Sequence, residues 1–419
     1  MNTNPARSLT RWLVLLGLTL APAWSGAAEV PAGTVINASN LDTLKTGSFE
    51  GKTIASLLTE RMEYMIRNHG LYLKLRKSAP VAADSRLLDA TKKHSAGVTF
   101  DPATRTVKGW TAGLPFPDVS EKDPHAGEKL IWNMRYGSMM GDQPVEDLHF
   151  LMVDFDKGLD RVQKWQIKRY MTVGRLTGGK PTEGDGSEYS RTLLYATYPH
   201  DIRGIGTFTI RYADPGKVDD SWVYVKSVRR VRRLSGNAWM DPIGGTVSLN
   251  DDIDGWDSPP SWYREVKLVG KRWILAIAHG KQALVDGKAT PEESYPQVDF
   301  KTAPYINTHD EWEPREVWVI EGVPPDEHPY GKKVVYMDAA FPRIYMAEMY
   351  DKKGDFWKFF TWHQSVVAGK DGFKAIGPLQ GEQVDVKARK ATIFVGDLRV
   401  NEPMTADDVT LGKLEAAGR

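Results

Sequence analysis

The sequence predicts a mainly β protein of the α+β class, built on an antiparallel sheet. Three observations predict it. Short β-rich runs, several alternating polar and apolar, recur from about Phe150 to the C-terminus. The links between them are short and rich in Gly, Pro and Asp. Helical spacing is concentrated near the N-terminus, with a cap signal at the C-terminus. An antiparallel sheet commonly covers one face and leaves the other wet, and if it curls its concave face can enclose a ligand cavity.

The elements follow in order. Arg7 and Arg11 are the only charges before Glu29, and the apolar run from Trp12 to Leu20 ends before Pro22. Small residues at Ser25, Gly26, Ala27 and Ala28 complete the order of a cleavable signal peptide over 1–28. The run is shorter than the ~20 residues a spanning helix needs, and no later run approaches that length. The chain has no cysteine, which excludes a lipid-anchored leader, disulfides and thiol chemistry. The formal charge of +1 becomes −1 once Arg7 and Arg11 are removed, so neither nucleic acid nor a strongly charged partner is indicated. The product is expected in the periplasm without a stable membrane anchor.

A mixed helical region is expected over 29–107. Ile54, Leu57, Leu58, Met62, Met65 and Ile66 recur at helical spacing from Thr53 to His69, with Gly70 placed to end the helix. A second helix is expected over 84–94. Residues 108–127 read as loop, 131–136 are ambiguous, and 147–155 look extended. Residues 174–187 read as a Gly-rich surface loop.

Strands are then expected over 192–198, 206–212 and 222–225, the last running on toward Leu234. Residues 266–269 and 272–278 are expected to pair around a Gly270-Lys271 turn. Strands follow over 316–322, 333–338, 344–350, 356–363 and 391–400. Asp351 to Asp355 has hairpin-loop composition. Thr405 with Asp408 is placed to cap a C-terminal helix over 406–416.

Motifs that would carry chemistry are mostly missing. No P-loop, His-Glu-x-x-His, Gly-x-Ser-x-Gly or dinucleotide fingerprint is present, and the nine histidines are scattered. No cofactor, metal site or catalytic residue is predicted. His279 and His363 each end an expected strand and read as satisfied core histidines. Asn250 to Gly255 mimics the start of a calcium loop, but its twelfth position is Ser261, so a solvated acidic turn is expected. Arg229, Arg230, Arg232 and Arg233 form the densest basic cluster. On a strand Arg230 and Arg232 share a face, so they could hold a phosphate or carboxylate headgroup at a rim. The blander alternative pairs the cluster with Asp251, Asp252 and Asp254.

Several segments resemble domain-of-unknown-function family 1329. They are Gly113-Leu114-Pro115-Phe116-Pro117, Glu128 to Asn133, Arg229 to Arg233, and Asp251 to Gly255. Trp262-Tyr263, Lys267 to Lys271, Glu316 to Glu321, and Tyr350 to Gly354 with Trp357 complete the series over roughly 110 to 365. That family is grouped with periplasmic lipoprotein carriers and outer-membrane lipoprotein receptors. The resemblance implies a strongly curved antiparallel half-barrel over 108–419, with covering helices and an apolar concave cavity. It also implies handling of a hydrophobic or lipid-like molecule, in company with an inner-membrane export pump and an outer-membrane protein.

The function expected is a periplasmic carrier or chaperone, not an enzyme. Arg230 and Arg232 are its headgroup candidates, and Trp318, Tyr336, Trp357 and Trp362 its candidates for lining the cavity. The 14 tryptophans suit either a large core or such a lining. Two rivals stand beside it. An envelope glycan or lipid hydrolase would need convergent acids or a base in one pocket. A structural adaptor of an envelope transport complex would need a large exposed apolar patch.

Overall fold

The computed structural model describes Met1 and residues 28–234, 236, 238–281 and 295–418. The expected leader lies outside the described residues apart from Met1 and Ala28.

The N-terminal region is built of short elements. They are β1 (Val35–Ile36), α1 (Leu41–Leu44), β2 (Ser48–Phe49), β3 (Lys52–Thr53), α2 (Ile54–Leu57) and α3 (Glu60–His69). β4 (Leu73–Leu75), α4 (Ser85–His94), β5 (Thr99–Asp101) and β6 (Thr106–Lys108) follow. The single helix expected over 53–69 is two, because Leu58 and Thr59 are extended. The Thr59 hydroxyl accepts a hydrogen bond from the Met62 amide at 3.0 Å, which starts α3 afresh. Gly70 ends α3 at φ 61°, a left-handed conformation that suits glycine. The ambiguous stretch belongs to α5 (Ala126–Tyr136).

The sheet is made of two antiparallel meanders. The first is β7 (Val145–Asp154), β8 (Gly158–Met171), β9 (Glu188–Tyr198), β10 (Gly206–Tyr212), β11 (Asp220–Val225) and β12 (Arg230–Arg233). The second begins with β13 (Glu265–Ala276), β14 (Glu311–Val323), β15 (Lys332–Asp338) and β16 (Ile344–Tyr350). It ends with β17 (Phe356–Thr361), β18 (His363–Ala368), β19 (Lys374–Asp385) and β20 (Lys390–Arg399). β20 returns to pair with β7 over ten residues, which joins the meanders into one sheet. The sheet is not closed. β12 is one edge, and at the other β13 and β4 both pair with β14, β4 in parallel.

Three strand expectations change. Residues 266–278 do not form a hairpin. β13 is continuous and pairs with β14, with a register shift between Leu268 and Gly270. The extra residue of that bulge, Val269, is 60% exposed, so the turn-like Gly270 accommodates a bulge instead. The strand expected to run from 222 to 234 folds back, because Lys226 to Arg229 turn and β12 pairs with β11. β8 and β19 were not foreseen. β8 carries Gln163, Lys164, Gln166, Lys168 and Arg169, and β19 contains Gly377, Pro378 and Gly381, so neither shows the expected apolar pattern.

Both faces of the second meander are covered. Along β14, Val317 and Val319 pack into a cluster with Ile54, Met62 and Ile66 of the N-terminal helices. Trp318 and Ile320 pack with Leu130 and Ile131 of α5 and with Trp256. β16 is therefore buried at every residue, unlike the one-sided sheet expected. Near the C-terminus, Thr405 and Asp408 form a capping box on a 3-10 turn (Ala406–Asp408), and α6 (Leu411–Gly418) follows. Leu414 packs against the first meander among Tyr170, Leu193 and Phe208. No helix among the described residues is long and apolar enough to cross a membrane.

Candidate functional site

Between β12 and β13 the chain crosses the α5 side of the sheet in 3-10 turns at Ala238–Met240, Asn250–Gly255 and Pro260–Trp262. This cover is fixed by its acidic residues. Lys333 of β15 is fully buried, and its Nζ stands 2.9 Å from both Asp251 Oδ2 and Asp252 Oδ1. Tyr263 donates to Asp251 at 2.5 Å, and Tyr330 donates to Asp252 at 2.7 Å. Lys358 donates to the Val247 carbonyl and to Tyr330. Burial alone would discharge Lys333, but the two carboxylates hold its pKa above the ordinary value.

The acidic turn is thus not solvated, since Asp251 and Asp252 have no exposure. Their oxygens face a lysine and two tyrosines, so they serve neither calcium nor the Arg229 to Arg233 cluster. Asp254 instead pairs with Arg343 at 3.6 Å, and Asp257 with Arg211 at 2.7 Å.

Beneath this cover lies a crevice of three compartments that share Arg169. The apolar one has Leu148, Phe150, Trp165, Leu194, Trp362 and Phe394 in its wall and a volume of about 90 Å³. The cationic one holds Arg135, Arg169, Arg211 and Arg343 with Asp254 and Asp257, at about 80 Å³. The third, about 170 Å³, lies along Thr192, Thr207, Thr209 and Ser221 and reaches Trp239 and Trp262.

The four arginines are unequally neutralised. Arg211 donates to Asp219 at 3.0 Å and to Asp257 at 2.7 Å, and these carboxylates overcome burial to raise its pKa. Arg343 also donates to the Ile376 carbonyl at 2.9 Å. Among the described residues, Arg135 reaches only the backbone carbonyl of Asp257. Burial and neighbouring Arg211 lower its pKa. Among the described residues, the Arg169 guanidinium makes no hydrogen bond and has no carboxylate within 4 Å. Glu146, in the apolar wall, is pushed up to about 7 chiefly by burial, with Asp254 acting in the same direction.

Of the residues singled out from the sequence, Trp362 stands in the apolar wall. Trp318 packs on the same side of the sheet, under Lys271, whose Nζ is 4.0 Å from its ring centroid. Trp357 is half-buried and donates to Asp385 at 2.9 Å. Tyr336 faces the N-terminal helices and donates to Glu348 at 3.0 Å. Arg230 and Arg232 are exposed on edge strand β12, away from the crevice wall.

The crevice arginines were missed because they are single residues on separate elements. One signal was present. Trp165, Ile167 and Arg169 alternate along β8 and share a face, as do Glu146, Leu148 and Phe150 of β7. A charge in register with an apolar face marks a buried polar position.

His363 is a satisfied core histidine, as expected. Its Nδ1 is 2.8 Å from Asp310 and its Nε2 is 2.8 Å from Glu382, all three buried. Burial would lower its pKa, but Glu382 and Asp310 raise it to about 9. With both ring nitrogens engaged and charged, it has no lone pair for a base. His279 faces Glu313 at 3.0 Å.

A family model described as "Protein of unknown function (DUF1329)" matches residues 35–413. No curated protein matches the chain. Among solved structures, a DUF1329 family protein from Desulfovibrio piger is 18% identical, with a TM-score of 0.48. The match covers 70% of this chain and 100% of that one. A domain described as an outer membrane lipoprotein-sorting protein from Vibrio parahaemolyticus is 17% identical with a TM-score of 0.47, over 70% and 100% of the two chains. A LolA superfamily protein from Nitrosomonas europaea is 14% identical with a TM-score of 0.38, over 66% and 94%.

Proposed function

The chain belongs to the DUF1329 family, and from that premise and the covered crevice we propose that it is a periplasmic carrier or chaperone for a hydrophobic or lipid-like molecule. The observation that carries this reading is the meeting of an apolar wall with a guanidinium chamber at Arg169 and Asp254. An amphiphile presents the same two chemistries at one junction, and ligand sites combine an apolar lining with a few fixed polar groups.

The apolar compartment, at about 90 Å³, is several-fold smaller than the roughly 300–1,000 Å³ of ordinary ligand sites. Loading therefore requires the 238–263 cover to lift from the sheet, which curves around the ligand as a half-barrel. Residues 29–107 back the sheet on its other side, and 108–419 form the carrier proper. The leader over 1–28 is removed on export, and the ligand passes between an inner-membrane pump and an outer-membrane protein. Trp362 is retained as a lining residue. Trp318, Tyr336 and Trp357 serve the core around it, and Arg230 and Arg232 serve the rim.

The mature protein, purified gently from the periplasm, is examined by native mass spectrometry and by displacement of a fluorescent apolar probe. A bound amphiphile, or probe uptake lost in Phe150→Asp, is the expected result. A correctly folded protein that never takes up either would overturn the reading.

A further inference from the structure

We infer that the chamber bounded by Arg135, Arg169, Arg211 and Arg343 is a binding site for a phosphate group, the headgroup of an anionic amphiphile. The inference rests on the carrier reading for the amphiphile but not for the anion. Four guanidinium groups reach this chamber from four elements: α5, β8, β10 and the turn before β16. The chamber itself contains two carboxylates, Asp254 and Asp257, which are paired with Arg343 and Arg211. Asp219 neutralises Arg211 further. Arg135 and Arg169 make no ion pair within 4 Å among the described residues, although Asp257 feels both charges and Glu146 that of Arg169.

Arg169 is half-buried, and its guanidinium presents a fork of N–H donors to the crevice with no protein acceptor among the described residues. Ser138 Oγ, in the same wall, is buried near the Tyr189 hydroxyl. A phosphate group supplies acceptors in several directions at once and is matched by the guanidinium fork. A carboxylate is planar and serves one fork, whereas these donors come from separate elements. The volume of about 80 Å³ exceeds the ≈ 30 Å³ share of a single water and suits a small oxyanion. Because Arg169 also belongs to the apolar compartment, an acyl chain attached to that phosphate would enter beside Leu148, Phe150 and Trp165.

The mature full chain is titrated calorimetrically at fixed ionic strength with dihexanoyl phosphatidic acid, dihexanoylglycerol and sodium phosphate. Phosphatidic acid is expected to bind, and Arg169→Gln to weaken it about ten- to hundredfold. Arg169→Lys should recover part of the loss, and Arg389→Gln, at an exposed arginine paired with Asp156 outside the crevice, should change nothing. Since the Arg169 side chain makes no hydrogen bond or ion pair among the described residues, thermal melting should show both Arg169 variants folded. Dihexanoylglycerol should bind more weakly and be indifferent to Arg169. Equal binding of the two lipids, unaffected by Arg169→Gln, overturns the phosphate site and leaves the carrier reading standing. Binding of sodium phosphate alone, abolished by Arg169→Gln, upholds the site as one for free phosphate and overturns the carrier reading. No binding of any of the three overturns both.

Discussion

Trp256 packs on the backbone of Gly322 so closely that a Cβ at Gly322 would lie 2.2 Å from the indole. Gly322 is in β14, and Trp256 follows the acidic turn of the cover. A side chain at 322 would also meet Tyr263 at 2.9 Å. Gly322→Ala should therefore push the cover off the sheet at an overpacking cost of about 1–3 kcal/mol. Urea unfolding would measure the loss, and near-ultraviolet circular dichroism would report the displaced indole. Unchanged spectra and stability would contradict this packing.

Lys333 holds two carboxylates in a fully buried site. Lys333→Met leaves Asp251 and Asp252 buried and unpaired, at a cost of about 3–5 kcal/mol. Adding Asp251→Asn and Asp252→Asn removes the stranded charges and should recover much of that loss. A triple variant no more stable than the single one would argue against this account.

Glu146 is raised to about 7 by burial, opposed by Arg169 and Arg343. The folded state then binds a proton more readily than the unfolded one. Its contribution to stability must fall as pH rises from about 4.5 toward 7, by up to about 3 kcal/mol. Glu146→Gln keeps the shape and removes the titration, so it should stabilise the protein above pH 7 and have little effect below pH 4.5. Melting temperatures across that range would test this, and parallel profiles for the two proteins would exclude it.

His363 works in the same direction over a higher pH range. Its pKa is raised to about 9 in the folded chain. Its stabilisation is fully present below the ordinary value of about 6.5 and is lost as pH rises through 9, by up to about 3 kcal/mol. His363→Gln should flatten the fall in melting temperature between those limits and lower stability at pH 6. A variant as stable as the parent at pH 6 would mean that Asp310 and Glu382 do not need the charge.

Much of the architecture was legible from the sequence because it depends on local spacing. The alternation over 206–212 corresponds to β10, and the run 344–350 to β16. Gly70 and the Thr405–Asp408 pair mark their caps through side-chain and backbone preferences confined to a few residues. Strands whose pattern is broken by charge or by Gly and Pro, β8 and β19, could not be read this way. Their place depends on neighbours far away in sequence.

The sequence by itself determined an antiparallel, aromatic-rich β protein with helices at its N-terminal side and no familiar catalytic motif. Only the tertiary structure decided that both faces of the second meander are covered. It also decided that the acidic turn is buried on Lys333, and that four arginines from separate elements meet in one chamber. The reason is physical. Propensity and periodicity act over a few residues, whereas a charge becomes buried or paired only when the folded sheet brings distant segments within hydrogen-bond reach. The dense Arg229 to Arg233 run was conspicuous in sequence yet lies on an open edge. Arg169, a single residue, lies where the crevice compartments meet.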